Sequence, residues 1–309
     1  MPVAPADLID YQRQDIEALI ARFAAANEGH ATPVPGLSVA RITAPVPPTA
    51  QLDAACLCVC VRGSRHVSSG DTVIRHEENH FVLTAVERPS IIAIPDASPE
   101  HPYTALRIDL DLDLARQVMA DIDMERLDFA PVDATGDVIE LDADMLDAVA
   151  RLVRLLERPG DIAFLSRLIH REILYRLLCG QGGGRLRRIV RMGSQGHRVA
   201  RAVAWLRMHF RERLRIEQLA AKAGMGVSTL HRHFAELTGM SPIQFQKQLR
   251  LHEARRLLLE DDTAVSTVAL RVGYESATQF IREYRRLFGE SPLRDVTLLK
   301  RSGSGRAPL

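Results

Sequence analysis

Along the opening residues, apolar positions recur near every 3.6 residues, at Leu8, Ile9, Ile16, Leu19, Ile20 and Phe23, which predicts one amphipathic helix within the first 26 residues. Beyond it the period drops to two. Alternating segments fall at 37–42, 55–62, 72–76, 80–86, 90–95 and 103–110, separated by the turn-forming runs SSGD (68–71), EEN (77–79) and PDASPEHP (95–102). Prolines 33, 35, 45, 47 and 48 bound the first of them. Short strands at roughly 8–12-residue spacing predict a small sandwich or barrel. From Leu112 the helical period returns, most clearly at 144–157 and 161–179.

From His197 onward the pattern is helices separated by short punctuation, and two segments have the layout of helix-turn-helix units. In IEQLAAKAGMGVSTLHRHFAELTG (216–239), small Ala220 and Ala221 sit where two helices cross closely, Gly224 makes the turn, and a second helix follows from Val227 to Leu237. In VSTVALRVGYESATQFIREYRRLFG (265–289), Gly273 makes the turn and Ser276 offers an N-cap for a helix reaching Phe288. Between the units, Ser241, Pro242 and Gln244 form a capping box with proline at the first helical position, opening a helix to Leu259. That connecting helix fixes the separation of the two units. Successive major grooves on one DNA face lie about 34 Å apart, so one chain can span both.

Charge adds to this picture. Residues 1–180 carry 16 basic and 28 acidic side chains, a balance of −12, whereas 197–309 carry 20 and 11, a balance of +9. The run GQGGGRLRRIVRMGSQG between them adds four arginines and no acid. An acidic part, a Gly/Arg-rich joint over 181–196 and a basic part predict a regulatory domain (1–180) linked to a polyanion-binding domain (197–300), with a disordered tail over 301–309. With 46% hydrophobic residues, four cysteines, no signal peptide and no long apolar run, the chain reads as cytoplasmic with reduced thiols and no membrane span.

LAAKAGMGVSTLHRHFAELTGMSPIQFQKQLRLHEARRLLL (219–259) and VALRVGYESATQFIREYRRLFGESP (268–292) resemble the DNA-binding domain of the AraC/XylS family of bacterial transcription regulators. The resemblance implies double-stranded promoter DNA as partner, with Ser228, His231 and Arg232 as the DNA-facing set of the first unit and Thr278, Gln279 and Arg282 as that of the second. The plainer alternatives for these positions are phosphate contact or solvated surface, and for Gln279 a capping box onto Ser276. Leu230, Phe234, Phe280 and Tyr284 alternate with them and are core. Gly226 departs from the family's usual Ser N-cap, at an expected cost of a few tenths of a kcal/mol.

Residues 54–83 and ASPEHPYTALRIDLD (97–111) resemble the N-terminal domain of an AraC-family branch whose sensor is a cupin-type barrel. The expected architecture is therefore α+β in two domains. A cupin-like β-barrel with flanking helices precedes an all-α domain of two helix-turn-helix motifs joined by a long helix. The implied function is effector-controlled transcription, more an activator than a repressor, acting through RNA polymerase. No cofactor is implied, and the sequence leaves homodimer formation open.

Within AACLCVCV (54–61), Cys56, Cys58 and Cys60 share one strand face. Inert barrel lining, a pocket thiol sensing an aldehyde or other electrophile, and a metal thiolate all fit those residue types. The sensor reading needs a lowered thiol pKa, for which Arg62 and Arg65 are the nearby cations. The metal reading is strained, because three side chains two apart on one strand diverge along about 13 Å. It keeps alive a metal-dependent cupin enzyme fused to a DNA-binding domain, with His76, Glu77, Glu78 and His80 as candidate donors, although that run reads as a turn. A third reading, an effector-independent architectural DNA binder, leaves the long first part without a task.

Overall fold

The computed structural model describes residues 5–24, 28–69, 72–84, 87–122, 138–180, 183–191, 194–260 and 263–301. Helix α1 (Pro5–Phe23) is followed by strands β1 (Glu28–Ala31), β2 (Leu37–Ile42), β3 (Val46–Asp53), β4 (Cys56–Arg62), β5 (Ser64–Ser69), β6 (Thr72–Glu77), β7 (His80–Thr84), β8 (Arg88–Ile94) and β9 (Tyr103–Asp109). Then come α2 (Leu112–Asp121), β10 (Val138–Glu140), α3 (Ala143–Arg154) with a 3₁₀ turn at Leu155–Glu157, and α4 (Pro159–Cys179). The strands form two antiparallel sheets, ordered β1-β2-β9-β4-β7-β10 and β3-β8-β5-β6, the double-sheet arrangement in which cupin-like domains are built.

Alternation along β4 sorts its side chains between two environments. Leu57, Val59 and Val61 join Ile16, Ile20, Val149 and Leu178 in the core under the helices. Each such burial stabilises by roughly 1.5–3 kcal/mol. Cys60 packs on the other face with Ile42, Ile94, Tyr103 and Ala105, between the sheets. The expected turn at 77–79 is present, with Asn79 at φ 63. The acidic alternation at its end also resolves: Asp111 caps α2 by accepting from the Asp113 and Leu114 N–H groups at 2.9 Å, while Asp109 pairs with Arg107.

The segment expected as a joint is largely helical. In α5 (Gly183–Arg191), Leu186, Ile189 and Val190 are buried on one face while Arg188 and Arg191 stay exposed. Leu186 and Val190 belong to the core of the β domain and Ile189 to that of the helical part. An amphipathic i, i+3, i+4 pattern in nine residues overrode the glycine signal.

The remainder is all helix: α6 (Ser194–His209), α7 (Ile216–Ala223), α8 (Val227–Thr238), α9 (Pro242–Glu260), α10 (Val265–Arg271), α11 (Ala277–Phe288) and α12 (Pro292–Arg301). Helix α9 starts with the expected capping box: Gln244 Oε1 accepts from the Ser241 N–H at 2.9 Å, and Ser241 Oγ accepts from the Gln244 N–H at 3.3 Å. It also packs against β3 and β8 of the smaller sheet.

Candidate nucleic-acid interface and barrel interior

Helix α7 ends at Gly224, whose φ of 67 lets the chain turn sharply into α8. Gly226 caps α8 with no side-chain hydrogen bond. Leu230, Phe234 and Leu237 point inward, Phe234 meeting Phe245 of α9 edge to face at 5.4 Å between ring centroids. That packing leaves Ser228 and Arg232 exposed and His231 half-buried on the opposite face.

The second unit repeats the plan with tighter local chemistry. Gly273 lies at φ 94, and a Cβ there would collide with the Arg211 carbonyl. Ser276 Oγ accepts from the Gln279 N–H, so the expected cap is made. The Gln279 side chain does not close the box; its amide donates to Glu283 Oε1 at 3.2 Å. Phe280 and Tyr284 are fully buried, and Thr278, Gln279 and Arg282 are exposed. Ser228, Thr278 and Arg282 have no side-chain hydrogen bond or ion pair among the described residues, and so remain available to a ligand.

What fixes one unit relative to the other is a set of braces on α9. Arg250 donates to the carbonyls of Phe210 (2.6 Å), Glu212 (2.7 Å) and Gly273 (2.7 Å), tying the end of α6 to the second turn. Glu283 accepts from Lys247 (2.7 Å) and from the Tyr274 hydroxyl (2.8 Å). Arg255 forms a buried fork with Asp295 at 2.8 and 2.7 Å, and the Tyr284 hydroxyl donates to the same carboxylate at 2.7 Å. These residues were not singled out from sequence. Their partners lie 9 to 40 positions away, so no local spacing marks them. At 1.5 Å per residue the 19-residue α9 is about 28 Å long, close to the rise between successive grooves.

The inward faces of the two sheets hold a second set of polar groups. Cys56, Cys58 and Cys60 are all buried. Burial pushes the Cys56 thiol up to about 12 and raises Cys58 and Cys60 as well, so all three are neutral thiols, opposite to what an electrophile-sensing thiolate requires. Arg65, on β5, pairs in register with His76 on β6, and both are buried. Burial, with the Arg65 charge opposite, lowers the His76 pKa to about 3. Its Nε2 lies 3.0 Å from the His80 carbonyl, which places the proton there and leaves Nδ1 a buried acceptor with no partner. Among the described residues, no group of three His, Cys, Asp or Glu side chains is placed to hold a metal ion. At the Tyr103 end a cleft of about 410 Å³ opens to the surface between Gly63, Glu78, Ile94 and His101.

Residues 33–185 match the family described as the AraC-type transcriptional regulator N-terminus, and residues 219–295 match a helix-turn-helix domain family. The activator RhaS of Salmonella schwarzengrund is 35% identical over 155 residues, 49% of this chain and 54% of RhaS; RhaS of Salmonella typhimurium matches to the same extent. The matched region thus spans about half the length of these relatives. The DNA-binding domain of AdpA, solved in complex with a target DNA, is 36% identical over 33% of this chain and 93% of its own, with a TM-score of 0.32. ToxT from Vibrio cholerae overlays 88% of the chain and 99% of its own at 9% identity and a TM-score of 0.42. An AraC-type N-terminal domain followed by a helix-turn-helix domain places the chain in the AraC family of transcription regulators.

Proposed function

We propose that the protein is a sequence-specific DNA-binding transcription regulator whose two helix-turn-helix units read successive major grooves from one chain. The observation that carries this reading is the pair of exposed sets, Ser228, His231 and Arg232 on α8 and Thr278, Gln279 and Arg282 on α11, held by the braced α9. Arg232 and Arg282 suit guanine and Gln279 suits adenine. Activation rather than repression is favoured by the relatives' designation as activators, and implies contact with RNA polymerase. A cytoplasmic location follows from that role. No helix among the described residues is long and apolar enough to cross a membrane.

We further infer that the β domain binds a small effector and passes its state to the readers. The smaller sheet faces the barrel interior on one side and meets α9 on the other, where the buried His252 imidazole lies beside the Gln51 backbone. Glu87, just before β8, also pairs with Arg207 of α6 at 2.6 and 2.7 Å. A ligand inside the barrel therefore acts one strand's thickness from the helix that spaces the readers, which is what a coupling between two sites requires.

The test is selection of bound fragments from genomic DNA by the purified full chain at moderate salt, followed by sequencing. The proposal expects a small set of sites, each with two short conserved blocks about one helical turn apart. Uniform recovery without a motif, with or without small molecules present, would reject it in favour of the architectural reading.

A further inference from the structure

The polar groups inside the β domain do not satisfy one another. Arg65 is 6% exposed, its Nε has no hydrogen-bond partner, and it forms no ion pair with any described residue. The carboxylate whose charge reaches it, Asp53, accepts from the Gln51 amide and stands opposite Arg88 in the β3–β8 register. The remaining neighbours, Cys56, Cys58 and Tyr103, are neutral, because burial raises all three above their ordinary values. The Tyr103 hydroxyl lies against the Cys58 sulfur without the geometry of a hydrogen bond, and Ser90 Oγ, on the same inward face, is likewise unpartnered. With His76 Nδ1 these make one guanidinium N–H, two hydroxyls and an acceptor nitrogen, each buried and without a hydrogen-bond partner.

A buried unpaired guanidinium is among the costliest arrangements a fold can hold, and leaving hydroxyls beside it unsatisfied adds to the cost. Apolar residues of similar volume would make the domain more stable. The uncompensated charge points to an anion that arrives from outside the chain. The surface cleft described above shares Tyr103 with this set.

We propose that the interior of the β domain binds a small organic acid, its carboxylate seated on the Arg65 guanidinium beside the Tyr103 and Ser90 hydroxyls, with a donor group of the ligand meeting His76 Nδ1. The proposal rests on the reading of this domain as an effector sensor, and it replaces the electrophile expected from the cysteines with an anion held by fork geometry. Cys58 then lines the site as a neutral thiol and forms no bond to the ligand.

Formate and acetate, the fragment common to all such acids, serve as probes on the full chain without DNA, against chloride at equal ionic strength and against inorganic phosphate. The expected result is a rise in Tm of roughly 2–4 °C with tens of millimolar acetate or formate over chloride, absent in Arg65→Met and reduced in Arg65→Lys. Arg65→Met itself should melt no lower than the wild type in chloride, since it removes an uncompensated charge. Equal shifts in wild type and Arg65→Met, or no shift over chloride in the wild type, would overturn the proposal. An Arg65-dependent shift with phosphate alone would overturn the carboxylate assignment. If Arg65→Met fails to fold, as read by circular dichroism, the arginine is structural and the proposal fails with it. Because DNA is absent from this experiment, its failure leaves the DNA-reading proposal standing, and a failed DNA selection leaves this one standing.

Discussion

The two halves of the chain treat buried charge in opposite ways. In the helical half, Arg255 is buried but forked onto Asp295, and Arg250 donates to four carbonyls, while the exposed Arg282, Thr278 and Ser228 have no partner among the described residues. In the β half, surface arginines such as Arg62 and Arg151 pair with Glu17 and Glu172, while Arg65 Nε and the Tyr103 and Ser90 hydroxyls inside have no partner. On the two proposals above, the exposed unpaired set of the helical half meets DNA and the buried unpaired set around Arg65 meets a small molecule. In the helical half pairing confers rigidity, and in the β half its absence leaves room for a partner.

The sharpest way to break this contrast is to disrupt a pair and compare it with the group that has none. Asp295→Ala strands Arg255 in the core and should cost about 3–5 kcal/mol in urea unfolding followed by Trp205, the chain's single tryptophan. A loss under about 1 kcal/mol would mean that the fork is not the brace described. Next in size is the second turn. Gly273→Ala must hold a positive φ against the Arg211 carbonyl and should cost more than Gly224→Ala, whose site has open space and where about 1–2 kcal/mol is expected. Equal costs would show that the second turn is no more constrained than the first.

On the outer face, Arg282→Ala should relax preference at one base position by about 1–3 kcal/mol in competition binding while leaving affinity for other positions unchanged. A uniform weakening across sequences would make Arg282 a phosphate contact. The effect with the shallowest readout, a slope per pH unit, lies inside. His76 titrates near 6.5 when unfolded and at about 3 when folded, so between those values the unfolded chain binds the extra proton. Stability from this group is intact above about pH 6.5 and falls as pH drops toward 3, by at most about 1.4 kcal/mol per unit. The wild type minus His76→Gln difference in unfolding free energy should show that slope, and a flat difference would contradict the buried neutral imidazole.

How much of this was legible in the sequence follows the same division. The strands at 37–42, 56–62 and 103–109 and both helix-turn-helix units are visible because their apolar periods are local and their turns are marked by glycine or proline. Strand β5, SRHVSS, offers one apolar residue and no contrast between faces, so its place beside β8 is set by pairing alone. Strand β3 is interrupted by Pro47 and Pro48, which an edge strand with a register shift at Val46/Thr49 tolerates. The glycines of the joint hid α5. The cysteines drew attention because their spacing is conspicuous, yet the group that distinguishes the interior is Arg65, whose lack of a partner no local pattern can reveal.

The central claim is that two units on one braced helix read DNA together, and the most direct test is a spacing experiment on a selected site. Inserting five base pairs between the two blocks turns the second to the opposite face of the duplex without altering either block. The account predicts that affinity for the inserted site falls at least roughly 10²-fold, to that of a site lacking one block altogether. Undiminished affinity after the insertion would show that the units bind independently, and that the bracing of α9 by Arg250, Glu283 and Arg255 does not set the reading frame.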